Sequence, residues 1–321
     1  MKKLTAVLLV FAIITAIFTL CACNQTEDVL NLYVPDGAPA LAVAKLLQSP
    51  TVAGKSVKVT ITTGANVKAK MLSGEADLAI CPTNMGAGLY NQGADYQFVC
   101  ANVFGVLYMV SNDTTITSLS QLKGKVVHSI GKDNTPQYVL QAILNANGIA
   151  FEEGDVAKDG VVVIKYYQSA AQILPLYKSN MIDVALIGEP AVSLQGLNQI
   201  FDLQQLWQQA TGLDENYPQA GLFVKSSILQ QDKRFVNKLV QALQDNTSFL
   251  QQNASQVSQL LADNGSVDLK YKAFTGEILA RCNIRCVKAA DCKAELVAYF
   301  NAVKAVSPAF VLPNDNFYYG I

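Results

Sequence analysis

Short apolar runs rich in β-branched residues alternate with runs of helical period along this chain, and they do so twice on one plan. Strands are expected at 57–62, 76–80, 108–111, 126–130, 161–167 and 183–187, with helical runs at 40–47, 67–72 and 137–145 among them. The stretch VPDGAPALAVAKLL, from Val34, aligns without a gap on GKDNTPQYVLQAIL, 97 residues later. TGANVKAKMLSGEADLAICP, from Thr63, aligns in the same way on SAAQILPLYKSNMIDVALIG at an offset of 106. Strands that alternate with helices build βαβ units and mostly parallel sheets. Two echoes in the same order imply two lobes of similar plan. The expected fold class is therefore α/β, each lobe a mostly parallel sheet flanked by helices, with a cleft between the lobes.

The turns inside the echoes locate that cleft. Thr135 before Pro136 reads as a capping hydroxyl followed by proline at the first helical position. Ala38-Pro39 repeats the frame without the hydroxyl, and Gly37 permits a tight turn. In open α/β sheets the loops after the strands' carboxyl ends face the ligand crevice, and helix starts there offer unpaired N–H groups. The candidate ligand-binding residues are accordingly Asp36, Gly37, Ala38, Thr63, Gly64, Ala65, Thr83 and Asn84 in one lobe. In the other they are Lys132, Asn134, Thr135, Gln168, Ser169 and Glu189. Plain turn or cap chemistry is the alternative for each; Ser169 with Gln172 has the capping-box spacing. Asp36 and Glu189 point to a cationic or N–H-bearing group, whereas helix starts favour an anion. Together they suit a zwitterion or a neutral heteroaromatic ring. Lys132 is the one basic residue in these loops, and Arg281 is a second basic candidate without a fixed place. Phe104, Tyr108, Tyr166 and Tyr167 could form an aromatic wall, although core positions are the commoner use of such residues. Glu189→Ala is expected to weaken ligand binding at least tenfold with little effect on melting temperature.

Composition removes several classes. A formal net charge of −1 gives no electrostatic case for nucleic acid. The 51% hydrophobic and 15% charged content supports a sizeable core. His128 is the only histidine, which is too few for a zinc-uptake site. Its neighbour Ser129 faces the other side of the same strand, so the two cannot form a catalytic dyad. No metal site, no cofactor and no enzymatic activity are expected. Cys282, Cys286 and Cys292 could hold a disulfide in an oxidising compartment, but buried or reduced thiols satisfy the pattern equally.

Lys2 and Lys3 precede an uncharged apolar run, then Leu20-Cys21-Ala22-Cys23 and the polar NQTED. That layout is a secretory signal, and its cut site resembles the bacterial lipobox with Cys23 as the lipidated residue. An uncleaved anchor helix is the alternative. Residues 1–22 are read as signal peptide and 23–28 as a tether. Residues 29–110 are read as the first part of lobe 1, 111–224 as lobe 2, and 225–321 as a return to lobe 1 with wrapping helices.

Several stretches carry a family resemblance: VPDGAPALA, SGEADLAICPTN, SLSQLKGKVVHSIGKDNTPQYVL, MIDVALIGEPAV and the late NDNFYYG. In this order the chain resembles the solute-binding lipoproteins of ABC importers, within the nitrate/sulfonate/taurine and thiamine-pyrimidine-precursor group. The resemblance implies the type II periplasmic-binding-protein fold and closure of two lobes around a small polar or heteroaromatic solute. It implies partnership with a permease and an ATPase, a lipid anchor on the extracytoplasmic face of the cell membrane, and a monomer. A sensor lipoprotein reporting to a membrane receptor would carry the same features. The related pyrimidine synthases have a cysteine-rich CCCFC stretch that is absent here, and sulfonate binders often have Asp-Pro in place of Glu189-Pro190, so neither ligand transfers. Cys23→Ala is expected to release the protein from membranes, read by fractionation; retention with an uncut N-terminus would instead identify an anchor helix.

Overall fold

Apolar alternation is realised in the first strand: Leu32 and Val34 enter one buried cluster and Tyr33 enters another on the opposite face. The structure is a computed structural model that describes residues 29–213, 216–269 and 272–320. The leader, Cys23 and the tether lie outside the described residues. In chain order the strands are β1 (Val29–Pro35), β2 (Thr51–Val52), β3 (Lys55–Thr62), β4 (Leu78–Pro82), β5 (Tyr96–Phe104) and β6 (Leu107–Ser111). There follow β7 (Val126–Ile130), β8 (Phe151–Glu153), β9 (Val162–Tyr167), β10 (Val184–Gly188), β11 (Gln199–Asp202), β12 (Pro218–Lys225) and β13 (Ile284–Lys288).

They form two sheets, ordered β13-β5-β12-β4-β1-β3-β2 and β11-β6-β10-β7-β9-β8. Both echoes survive in the topology. In the first sheet β1 lies between β3 and β4 and is parallel to both; in the second β7 lies between β9 and β10, again parallel. The helices Gly64–Leu72 and Ala170–Lys178 are both nine residues long and stand 106 residues apart, as do β4 and β10.

The chain passes between sheets at Gly105-Val106 and again after the helix Leu203–Thr211. The boundaries expected after 110 and after 224 therefore need correction, since each falls inside a strand: β6 pairs in the second sheet and β12 in the first. Long helices cover the first sheet. Asp232 caps Lys233–Gln252 through the Phe235 amide, and Phe235, Val236, Leu239, Val240 and Leu243 bury one face. The chain then breaks at Asn253 and continues as Ala254–Asp263. The helix Lys293–Val306 buries Leu296, Tyr299, Phe300 and Val303 in an apolar cluster that runs from the first sheet into the second.

Gly221 on β12 marks the tightest approach within the first sheet. A Cβ there would lie 2.4 Å from the Cys100 carbonyl oxygen and 2.4 Å from the Phe98 ring. Gly221→Ala is expected to destabilise by about 1–3 kcal/mol, because backbone cannot yield as a side chain can; an unchanged urea midpoint would contradict this packing.

Candidate functional site

Parallel pairing puts the carboxyl ends of β1, β3 and β4 at one edge of the first sheet, and those of β7, β9 and β10 at one edge of the second. Each of the fourteen residues from Asp36 to Glu189 put forward as ligand-binding follows one of these ends. Direct contacts show the edges facing each other. Asn84, in the helix Thr83–Asn91, donates through Nδ2 to the Asp133 carbonyl across the gap at 3.2 Å.

The helix starts differ in how much they leave open. Thr63 is exposed and accepts the Asn66 amide at 3.2 Å, so its hydroxyl caps the helix that begins at Gly64. Ser169 makes no side-chain cap bond. Gln172 Oε1 accepts the Gln168 amide at 2.9 Å, so the expected capping box is corrected to a single contact one residue earlier. Gly37 has a φ of 95° and Gly131 a φ of 74°; both need the left-handed region that glycine enters freely. The helix after β7 has Asn134 as its cap and Thr135 as its first residue. Thr135 is thus not the cap, which frees its hydroxyl for another use.

That use is a buried polar node between the lobes. Thr135 Oγ1 lies 3.3 Å from Asn84 Oδ1 and 3.4 Å from the Gln219 carbonyl. The Tyr299 hydroxyl completes the group, 3.1 Å from Thr135 Oγ1 and 3.3 Å from Asn84 Oδ1. Burial raises the Tyr299 hydroxyl well above its ordinary pKa, so it stays protonated and donates. Thr83 is turned aside, its hydroxyl donating to the Pro218 carbonyl at 2.7 Å. Tyr299 was not legible in the sequence: it lies in a helix read only as a wrapping element, and no local pattern marks it.

The charged candidates are occupied. Asp36 accepts the Ser266 hydroxyl and the amides of Val267 and Asp268 at 2.7, 2.7 and 3.0 Å, besides the Gly37 amide. It therefore anchors the turn after the helix Ala254–Asp263, and the expectation that its charge awaits a cationic solute is corrected. Lys132 Nζ is 2.5 Å from Glu153. The Glu189 side chain is fully buried; Oε1 accepts from Arg281 Nε at 2.6 Å and from the Ser193 hydroxyl, and Oε2 accepts the Ser193 amide. Its expected role as a free acidic contact is corrected in the same way. Desolvation works against the Arg281 charge, but the Glu189 hydrogen bond and the surrounding charges leave its pKa raised. The guanidinium also lies 4.5 Å from the Tyr108 ring centroid. Phe104 and Tyr108 are buried, so they form packing rather than an open aromatic wall, whereas Tyr166 and Tyr167 are partly exposed. His128 Nδ1 pairs with the Tyr167 hydroxyl at 2.9 Å, while Ser129 is fully buried. The five cysteines among the described residues are free thiols.

The family model described as NMT1/THI5 like matches residues 96–256, half of the chain, and the protein belongs to that family. Its fold is the type II periplasmic-binding-protein fold. The chain is similar to a solved ABC transporter protein from Parabacteroides distasonis, with a TM-score of 0.74 and 20% identity over 91% of this chain and 99% of that one. It is also similar to the periplasmic aliphatic sulphonate binding protein SsuA from Escherichia coli, with a TM-score of 0.65 and 13% identity over 91% of each chain. A third likeness is to the zinc-bound ligand-binding component of an ABC-type import system from Staphylococcus aureus, with a TM-score of 0.64 and 10% identity over 91% and 96%. Among curated proteins none matches the sequence.

Glu189→Ala is now expected to be a stability variant. It leaves Arg281 without its buried partner, at a cost of about 2 kcal/mol given that the guanidinium is partly hydrated. Calorimetry should record a clear drop in melting temperature; no drop would contradict the buried pair.

Proposed function

We propose that this protein is the lipid-anchored, extracytoplasmic solute-binding component of an ABC importer, which captures a small polar or heteroaromatic solute by closure of its two lobes. The observation that carries the reading is the pair of facing strand-end edges, joined by two crossing segments and lined by helix starts from both sheets. Gly37, Thr63, Gly64, Ala65, Lys132, Asn134, Gln168 and Ser169 form the rim offered to a solute, with Asn84 and Thr135 as its floor, whereas Ala38 packs into the apolar cluster of the first lobe. Ligand contact with both edges would shift an open–closed equilibrium, and no bond chemistry is needed.

The solute is best read as uncharged or zwitterionic. Lys132 is already paired with Glu153 and Arg281 with Glu189, so a bare anion would have to displace an internal partner. The lipid anchor at Cys23 is supported by the leader and cut-site residues. No helix among the described residues is long and apolar enough to cross a membrane. A permease and an ATPase are the implied partners, and the binding component acts as a monomer.

The test is a thermal-shift panel on the chain from Asn24 onward, holding aminopyrimidines, amino acids, sulfonates, nitrate and polyamines. A ligand at 100 times its Kd should stabilise the native state by about 2.7 kcal/mol. A neutral ring or zwitterion should give the largest shift; a shift with sulfonate or nitrate alone would overturn the assignment of solute class.

A further inference from the structure

We propose that Arg281 and Glu189 form a latch between the two lobes, one that sets how far the empty protein closes. Arg281 moves with the first lobe. It ends the helix Gly276–Arg281, whose Leu279 is buried in the apolar cluster under Lys233–Gln252, and β13 of the first sheet begins three residues later. Its side-chain partners among the described residues belong to the second lobe. Glu189 follows β10, Tyr108 lies on β6, and Gln199, on β11, accepts from Arg281 Nη2 at 3.0 Å.

The two halves of the latch are built differently. Glu189 is held in place without Arg281: Ser193 supplies two donors to its carboxylate, and the Glu189 amide donates to the Val106 carbonyl at 2.9 Å. The carboxylate is thus presented in a fixed direction from a fully buried site, where an unmatched charge is costly. The Arg281 side chain is 40% exposed, so on opening it can pass into water along a short path. A fixed buried anion and a releasable cation make a contact that can break and re-form without rebuilding either lobe.

Its position relates it to the motion. Asn283, two residues after Arg281, donates through Nδ2 to the Gly105 carbonyl at 3.3 Å and accepts the Phe104 amide at 3.3 Å. The latch therefore flanks the first crossing segment, where rotation of one lobe against the other must be absorbed. The Asn84, Thr135 and Tyr299 node provides a second interlobe contact, but a neutral one, so of these two contacts only the ion pair responds to salt.

This inference depends on the cleft being one that closes, but not on which solute enters it, so the test uses the empty chain from Asn24 onward. Its radius of gyration by small-angle X-ray scattering is expected to be larger in Glu189→Gln and in Arg281→Met than in the wild type, with circular dichroism reporting folded protein. Gln199→Ala, which removes only the outer contact, should fall between them and the wild type. Raising sodium chloride from about 0.05 to 1 M should expand the wild type slightly and leave Arg281→Met unaffected, because screening reaches the partly exposed Arg281 side of the pair, though less than it would a surface pair. If Glu189→Gln fails to fold, Arg281→Met decides, since methionine keeps the apolar stem. A folded Arg281→Met with wild-type dimensions and the wild-type response to salt would overturn the latch. A failed solute panel would leave it standing.

Discussion

The buried side-chain carbonyl of Gln204 receives the Leu107 amide at 2.8 Å and the Tyr217 hydroxyl at 2.9 Å, and so ties together the two segments of chain that cross between the sheets. Its amide nitrogen is held in turn by Asp202 at 2.9 Å. Gly105 lets this group come close: a Cβ there would stand 2.8 Å from both Gln204 Cγ and Tyr217 Cζ. Burial keeps the Tyr217 hydroxyl protonated and therefore a donor. Without Gln204 a backbone N–H and a hydroxyl would be left unpaired in the interior, each costing about 1–3 kcal/mol. The facing of the two strand-end edges depends on this crossing.

From that constraint the interlobe contacts follow as two kinds. On one side a neutral node joins Asn84, Thr135 and Tyr299; on the other an ion pair joins Arg281 to Glu189. Between them lie helix starts beside Asp36 and Lys132, both of which are matched internally. A site of this kind recognises by hydrogen-bond geometry and shape, because a polar solute that fails to satisfy buried donors and acceptors pays for their desolvation. On the proposed reading, selectivity for a neutral ring or a zwitterion would come from the helix-start amides and the node rather than from a single dominant charge.

The plan of the fold was readable because βαβ units leave periodic, locally bounded signals. The strand expected at 126–130 matches β7, and the helix starts at 64 and 170 keep the spacing of the sequence echo. β5 and β12 were not read: both are central strands buried on two faces, so their residues lack the polar alternation that marks a strand. The strand-end loops were readable in position, but the partners of their charged residues were not. Asp36 lies correctly after β1, yet its partners are about 230 residues away, at Ser266 and Val267. Glu189 lies after β10 as expected, yet its charged partner, Arg281, is 92 residues away. A carboxylate's residue number says where the backbone puts it, while its partner is fixed by tertiary packing that no local pattern encodes. The same holds for Thr135, whose hydroxyl serves the interlobe node because the helix begins at Thr135 itself rather than after it.

Hydrogen–deuterium exchange on the protein with and without a solute that raises its melting temperature tests most directly whether one ligand is held by both lobes. Protection is expected together at 36–38 and 63–66 from the first lobe and at 132–135 and 168–169 from the second, with the crossing segment at 105–106 also slowed. Protection confined to one lobe, or to the outer surface around Gln92 and Lys225, would contradict capture between the sheets.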